Sequence, residues 1–338
     1  MADWSTIQRR LRRRPRRWLV TGAAGFIGSH LVETLLRLNQ RVIGLDNLAT
    51  GHAENVEDVR SKITAEQRRQ FRFLEADIRD AAACRRACRG ADVVLHQAAL
   101  GSVPRSLKDP LATNNVNVDG FLQVLWAARA AGVRRMVYAS SSSVYGDHPT
   151  QPKREDVLGC ALSPYAVSKR VNELYAGVFG PAYGMELMGL RYFNVFGPRQ
   201  DPKGAYAAVI PRWILALLRG RSTEIYGDGK TSRDFCYVAN VVQANLLAAT
   251  TQEKRALGRI YNVAVHNRTT LKRLHKMLRD RLPDRLVQPP VYSPFREGDI
   301  RHSHADIGLA CRWLGYQPSH TLEQGLDQTV CWFAERHG

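Results

Sequence analysis

An α/β fold, built on a doubly wound parallel sheet with a smaller C-terminal α/β lobe, is predicted by three features of the 338-residue sequence. Short apolar runs alternate with longer stretches of helical periodicity from residue 17 onward. A glycine-rich turn, "TGAAGFIGSH", joins the first run to the first helix. After about residue 197 the alternation weakens into shorter pieces punctuated by Pro and Gly. Strand and helix in alternation imply parallel strands whose crossover helices cover both faces of the sheet.

The first strand and helix are read in "RWLVTGAAGFIGSHLVETLLRL". "RVIGLD", ending at Asp46, is the second strand, "FRFLEADI" the third, "ADVVLHQAA" the fourth, "RRMVYASSSS" the fifth and "MELMGLRYFNVFG" the sixth. Helical stretches such as "FLQVLWAARAAG" lie between them. Right-handed crossovers then place the loops that follow the strands along one edge, where α/β proteins bind ligands. The expected organisation is a basic N-terminal arm over 1–17, a sheet domain over 18–197 to which later segments return, and a ligand-binding lobe over most of 198–338.

An apolar share of 44% and a charged share of 24% are those of a soluble globular chain, and no apolar run approaches the roughly 20 residues a membrane helix needs. The longest candidate, "AYAAVIPRWILALL", is broken by Pro211 and Arg212. Six cysteines without CxxC or Cys/His ligand spacing indicate neither a metal nor a disulfide framework, and the cytoplasm is the expected location. The formal charge of +18 is concentrated in "RRLRRRPRR" at residues 9–17, but arginine is enriched along the whole chain. An anionic substrate is therefore the expected partner rather than nucleic acid or a membrane.

Gly22, Gly25 and Gly28 form a GxxGxxG turn between strand and helix. In that setting the first glycine permits the tight turn and the second lets a pyrophosphate approach the backbone. The third lets the helix pack against the strand, and the helix N-terminus favours the anion. Asp46 ends the second strand, where an acid binds the adenosine ribose hydroxyls and repels a 2′-phosphate, so the expected cofactor is NAD. Asp77 and Ile78 after the third strand face the adenine in this reading, and Gln97, Ala98 and Ala99 after the fourth lie beside the pyrophosphate and the second ribose. His96 ends an apolar strand and is read as a core histidine.

"SPYAVSK" opens a helix with Tyr165 and Lys169 four apart, hence on one face. Taken alone, this is an ordinary surface pair. With TGxxGFIG, the acid after strand two and the serine-rich strand end, it resembles the extended short-chain dehydrogenase/reductase family over nearly the whole chain. Within that family the sequence is similar to the NAD-dependent nucleotide-sugar 4-epimerases, and most to those acting on UDP-N-acetylglucosamine. The stretches that carry this likeness include "HQAALGSVPRS", "SSSVYGDHP", "LRYFNVFGPRQDP", "GDGKTSRDFCYV" and "FREGDIRHSHAD".

The resemblance implies Tyr165 as the base that takes the sugar 4-hydroxyl proton, Lys169 as its tuner and ribose contact, and Ser141 as the assisting hydroxyl. Lowering a phenol by ~3 pKa units takes about 4 kcal/mol, which two nearby cations can supply. Ser142 stands where related dehydratases and decarboxylases carry carboxylates, which argues against those activities. The resemblance adds Ala24, Phe26, Ile27, Asn47, Thr50, Gly51 and Val195 to the cofactor contacts. For a UDP-sugar it implies Asn194, Ala208, Val209, Trp213, Arg233, Arg296 and Asp299 around the nucleotide and diphosphate, where the planar fork of Arg suits phosphate.

Gly101, Ser102, Ser142, Gln200 and Ser303 are the implied sugar contacts. Ser303 stands where epimerases restricted to glucose and galactose carry a bulky Tyr, so room for a 2-acetamido group is expected. The reading is therefore UDP-N-acetylglucosamine/UDP-N-acetylgalactosamine interconversion in surface-polysaccharide synthesis, with UDP-glucuronate or its N-acetylated relative as the alternative sugar. A non-catalytic dinucleotide-binding protein that uses the arginine arm on RNA or a partner is the alternative from another class. A homodimer formed through two helices of each subunit is also implied.

Overall fold

A computed structural model describes residues 3–203, 207–283, 288–295 and 300–337. Seven parallel strands form the main sheet: β1 (Arg17–Thr21), β2 (Arg41–Asp46), β3 (Phe71–Glu75), β4 (Val93–His96), β5 (Arg135–Ser141), β6 (Glu186–Tyr192) and β7 (Ile260–Val263). Their order across the sheet is β7-β6-β5-β4-β1-β2-β3. β1 thus pairs with β2 on one side and with β4 on the other, and the chain reverses direction there. The crevice above such a switch point is where an open α/β sheet takes a ligand.

Both faces of the sheet are covered. Along β1, Trp18 and Val20 enter one apolar core and Leu19 enters the other, as the two-residue period of a strand requires. The helices Phe26–Arg37 and Val238–Thr250 fill the first core through Leu31, Leu35, Val241 and Leu247. Phe121, Val124 and Phe179, from the helices Gly120–Ala130 and Pro164–Tyr183, fill the second.

β7 lies well beyond the six strands expected from the sequence. Its four residues, "IYNV", carry too little periodicity to stand out, and it is pairing with β6 that makes them a strand. The remaining C-terminal segments build the lobe around a third core that includes Trp213, Phe235, Leu274 and Phe333. There the two-residue strand Ser232–Arg233 lies between Thr269–Thr270 and His302–Ser303.

The basic N-terminal stretch folds as a helix, Trp4–Arg13, capped by Asp3, whose carboxylate accepts from the Thr6 N–H at 2.7 Å. Ile7 and Leu11 are buried against the body, and Arg10 donates to the Thr250 carbonyl at 2.6 Å. Among the described residues no helix is long and apolar enough to cross a membrane, and no group of three or more His, Cys, Asp or Glu is placed to hold a metal.

Candidate active site

A cleft of about 480 Å³ runs along the C-terminal ends of the strands and gathers residues from the segments after β1 to β5 and from the end of β6. Gly22, Gly25, Phe26, Ile27 and Gly28 form one wall. Gly22 has φ +69°, and a Cβ on Gly28 would stand 1.9 Å from the Gly22 carbonyl oxygen. The helix therefore starts against the turn with no room for a side chain, which leaves main-chain N–H groups facing the cleft. Gly28→Ala is expected to weaken dinucleotide binding at least about a hundredfold, since turn and helix start must separate; an affinity within a few-fold of the parent in a titration would show that this turn does not hold the cofactor.

Asp46, at the end of β2, accepts from Ala24 N at 3.0 Å and Leu48 N at 2.8 Å. Burial pushes its carboxyl pKa up, and its hydrogen bonds from the backbone oppose that shift. Asn47, Thr50, Gly51, Asp77 and Ile78 line the same end of the cleft. Asn47 donates to Asp77 at 2.8 Å, and the hydrogen-bonded Arg79 guanidinium holds the Asp77 carboxyl down at about 2. Gln97, Ala98 and Ala99 line the middle. His96 is buried behind them against Thr21 Oγ1, 2.9 Å away, and burial lowers its pKa to about 3.

Two of the expected cofactor contacts lie elsewhere. Ala24 is fully buried behind the glycine turn and meets Asp46 through its N–H. Val195 lies beyond β6 on the short strand Val195–Phe196, which pairs with Cys236–Tyr237 and carries it to a second cavity in the lobe.

At the far end of the cleft stand Tyr165 and Lys169, one turn apart on the helix Pro164–Tyr183. Ser163 caps that helix by accepting from Ala166 N at 3.1 Å, so the pair lies in its first two turns. Lys169 is 1% exposed and donates to the Ala139 carbonyl at 3.0 Å; burial lowers its pKa to about 8. Burial raises the Tyr165 phenol above its ordinary value, and its hydrogen bond with Ser141 opposes that rise. Ser141 Oγ also accepts from Ser143 N at 3.1 Å in the turn that ends β5. Ser142 lies in that same turn and lines neither cavity.

The second cavity, about 250 Å³, gathers Asn194, Val195, Ala208, Val209, Trp213 and Arg233. Trp213 is only 1% exposed and forms the wall from behind, with its indole N–H donating to the Glu224 carbonyl at 3.2 Å. Ser303 pairs in register with Arg233, so the two sit side by side. Gly101 lines the first cleft, and a Cβ there would meet nothing within 4 Å.

Ser102 instead turns back on its own chain, where Oγ accepts from Arg105 N at 3.3 Å as a helix cap. Gln200 lines neither cavity, and its side chain donates to the Val195 carbonyl at 3.1 Å. In both cases a nearby main-chain group holds the side chain expected on the sugar. Arg296 and Asp299 lie outside the described residues.

Several contacts here escape a reading of the sequence. Tyr192, Gln97 and Asn245 close a triangle at the cleft floor: Tyr192 Oη donates to Gln97 at 3.0 Å, Gln97 to Asn245 at 3.1 Å, and Asn245 to Tyr192 Oη at 2.8 Å. Asn117 holds the loop after β4, accepting from Leu100 N at 2.7 Å and donating to its carbonyl at 3.1 Å. Behind Lys169, the buried Glu173 accepts from Ser140 at 2.7 Å and from both arms of the buried Arg191 at 2.8 and 2.9 Å. Only the four-residue step from Lys169 to Glu173 could have signalled this last group.

A dinucleotide cradle at one end of a cleft and a Tyr–Lys pair at the other define a Rossmann-type protein of the extended short-chain dehydrogenase/reductase class. The chain belongs to the NAD dependent epimerase/dehydratase family, whose model matches residues 18–264. It is 40% identical over 324 residues, covering 95% of this chain and 99% of the relative, to a protein named UDP-glucose 4-epimerase from Mycolicibacterium smegmatis. Among solved structures, a UDP-N-acetylglucosamine 4-epimerase from Methanobrevibacter ruminantium in complex with UDP-N-acetylmuramic acid is 38% identical, with a TM-score of 0.87 and 96% and 99% of the two chains covered. A UDP-glucuronic acid 4-epimerase from Bacillus cereus, with UDP-glucuronic acid and NAD, is 29% identical, with a TM-score of 0.84 over 94% and 99%.

Proposed function

We propose that this chain is an NAD-dependent UDP-sugar 4-epimerase that prefers the N-acetylated sugars UDP-N-acetylglucosamine and UDP-N-acetylgalactosamine. The observation that carries the chemistry is the placement of Tyr165 and the buried Lys169 in the same cleft as the Gly22–Gly28 turn and Asp46. Gly22, Gly25, Gly28, Asp46, Asp77, Gln97 and Lys169 hold the cofactor, which when bound supplies a hydride acceptor and donor. Tyr165 takes the proton of the sugar 4-hydroxyl and returns it after the 4-keto sugar has turned over, with Ser141 sharing the hydrogen bond. Lys169, spending one donor on Ala139, keeps others for the ribose and favours the phenolate by its charge. Arg233, Asn194 and the second cavity take the nucleotide and diphosphate.

Serines at 142 and 143 offer no carboxylate for the extra proton transfer a dehydration needs, which favours epimerisation. The acetamido preference rests on Ser303, whose small side chain stands beside Arg233, and on the open space at Gly101. Ser303→Tyr is expected to cut turnover of UDP-N-acetylglucosamine about tenfold or more while sparing UDP-glucose, because a bulky ring fills the acetamido space. The test is epimer formation from UDP-N-acetylglucosamine, UDP-glucose and UDP-glucuronate, each without added NAD. Faster turnover of UDP-glucuronate would move the assignment to the uronate sugar, and no turnover of any of them even with NAD added would sink the epimerase reading.

The same reading includes a homodimer. Leu111, Trp126, Val167, Leu174 and Val178 are exposed apolar side chains on residues 111–132 and 164–180, the two segments the resemblance implies for pairing, Leu111 at 76% and Val178 at 62%. A patch of this kind marks an association surface. Leu174→Glu with Val178→Glu is expected to halve the mass seen by light scattering; an unchanged mass would place the interface elsewhere.

A further inference from the structure

At the opposite edge of the sheet from the cleft lies a hollow of about 520 Å³ walled by six exposed arginines, Arg17, Arg41, Arg69, Arg72, Arg86 and Arg89. They come from separate segments: the starts of β1, β2 and β3, the end of the helix Ala65–Arg69, and the C-terminal end of the helix Ala81–Cys88. Ile43 and Leu74 give the hollow an apolar part, and no carboxylate lines it.

Several arginines elsewhere on the surface sit in ion pairs. Arg60 pairs with Glu57 and Arg79 with Asp77, both at 2.7 Å; Arg255 pairs with Glu253 at 2.9 Å and Arg281 with Asp327 at 2.7 Å. Among the described residues none of the six around the hollow has such a partner. Asp92, which touches this edge, accepts from the main-chain N–H of Arg17 at 2.7 Å and forms no ion pair with its guanidinium. Arg17 and Arg41 are moreover register partners on adjacent strands, where like charges repel. Arginines without an ion pair among the described residues also lie elsewhere, Arg12, Arg13 and Arg68 among them; what sets this hollow apart is that six from separate segments converge on one concavity with no carboxylate in its lining.

We propose that this hollow binds a small polyphosphate anion carrying three or more phosphates, inorganic or as a nucleoside polyphosphate. Guanidinium forks bind phosphate oxygens bidentately, and several converging from different directions suit clustered phosphates better than a single one. A compact ligand fits better than an RNA strand. The arginines ring one hollow, whereas a strand needs a charged track along its backbone, and Arg12 and Arg13 of the N-terminal helix and Arg14 at its end lie outside the lining.

The test is calorimetric titration of the intact protein with tripolyphosphate, with saturating NAD and UDP present to occupy the other anion sites. A single saturable site is expected, weakened at least about tenfold in Arg41→Gln/Arg72→Gln/Arg86→Gln and unchanged in Arg12→Gln/Arg13→Gln/Arg14→Gln. A parallel titration with ATP distinguishes a preference for nucleoside polyphosphate from one for the inorganic chain, and saturable binding of either at the hollow supports the proposal. Unchanged thermal unfolding of both variants assures that folding is not what is being read. No saturable binding at millimolar ligand overturns the proposal, as does equal weakening in the two variants, which marks diffuse charge. Tighter binding of a single-stranded RNA that depends on both arginine sets overturns it in favour of a nucleic-acid track.

Discussion

Tyr165→Phe is expected to lower kcat about a thousandfold while leaving dinucleotide affinity nearly unchanged, since positioned general acid–base groups contribute 10²–10⁴-fold. The phenol stands one turn from Lys169 and hydrogen-bonds Ser141, so removing its hydroxyl deletes the group assigned to take the substrate proton. The protein groups alone leave the phenol above its usual range, because burial outweighs Ser141. Its activation therefore depends on positive charge, and Lys169 is the positive group the chain itself supplies.

Burial disfavours the charged form of Lys169 and brings its pKa to about 8. The ammonium that favours phenolate is thus present below that value and lost above it. kcat for the parent enzyme is expected to fall as pH rises past about 8. For folding the sign is opposite. Lys169 subtracts stability while it is charged, and that deficit fades between about pH 8 and its unfolded pKa near 10.4. Loss of activity with gain of stability on the alkaline side would separate catalysis from unfolding. Activity of Tyr165→Phe within tenfold of the parent would remove Tyr165 from the role of base.

Glu173→Ala is expected to destabilise the fold by about 3–5 kcal/mol, because it leaves the Arg191 guanidinium buried without a counter-charge. Glu173 and Arg191 are both essentially excluded from water, and the pair ties the Tyr165 helix to β6 through two hydrogen bonds while Ser140 ties it to β5. Replacing both, as Glu173→Met with Arg191→Met, is expected to recover most of the loss, since two apolar side chains then fill the space. Urea unfolding of the two variants checks this, and equal instability of single and double variants would show that the pair matters for something other than charge burial.

Burial alone would raise the Glu173 pKa, but hydrogen bonds and charge from Arg191, with Ser140 and Arg170, hold it below its usual value. A depressed carboxyl contributes stability above its unfolded pKa near 4.3 and loses it as pH falls through the folded value. Below about pH 4 the parent should therefore lose stability that the double variant does not have to lose.

Local patterns carried much of this molecule. Each of the first six strands is a short apolar run with its ends marked by turn residues, and GxxGxxG followed by Asp46 needs only the chain near it to be read. Tyr165 and Lys169 are legible for the same reason, since a four-residue step on a helix places them together wherever the helix goes. The resemblance extended this to the second cavity, where Asn194, Ala208, Val209 and Arg233 come together.

What only the tertiary structure decided depends on contacts between distant segments. β7 is a strand because β6 offers it an edge, and Asn245 joins the cleft floor from a helix 148 residues beyond Gln97. Ser102 and Gln200, plausible sugar contacts by position, are held by nearby main-chain groups, and Val195 is carried into the lobe by its pairing with Cys236. Six arginines scattered between residues 17 and 89 become one hollow because parallel strands bring their starts to a common edge. Spacing along a chain determines which residues share an element's face. Which faces then meet, and which polar atoms are satisfied before a ligand arrives, is set by packing.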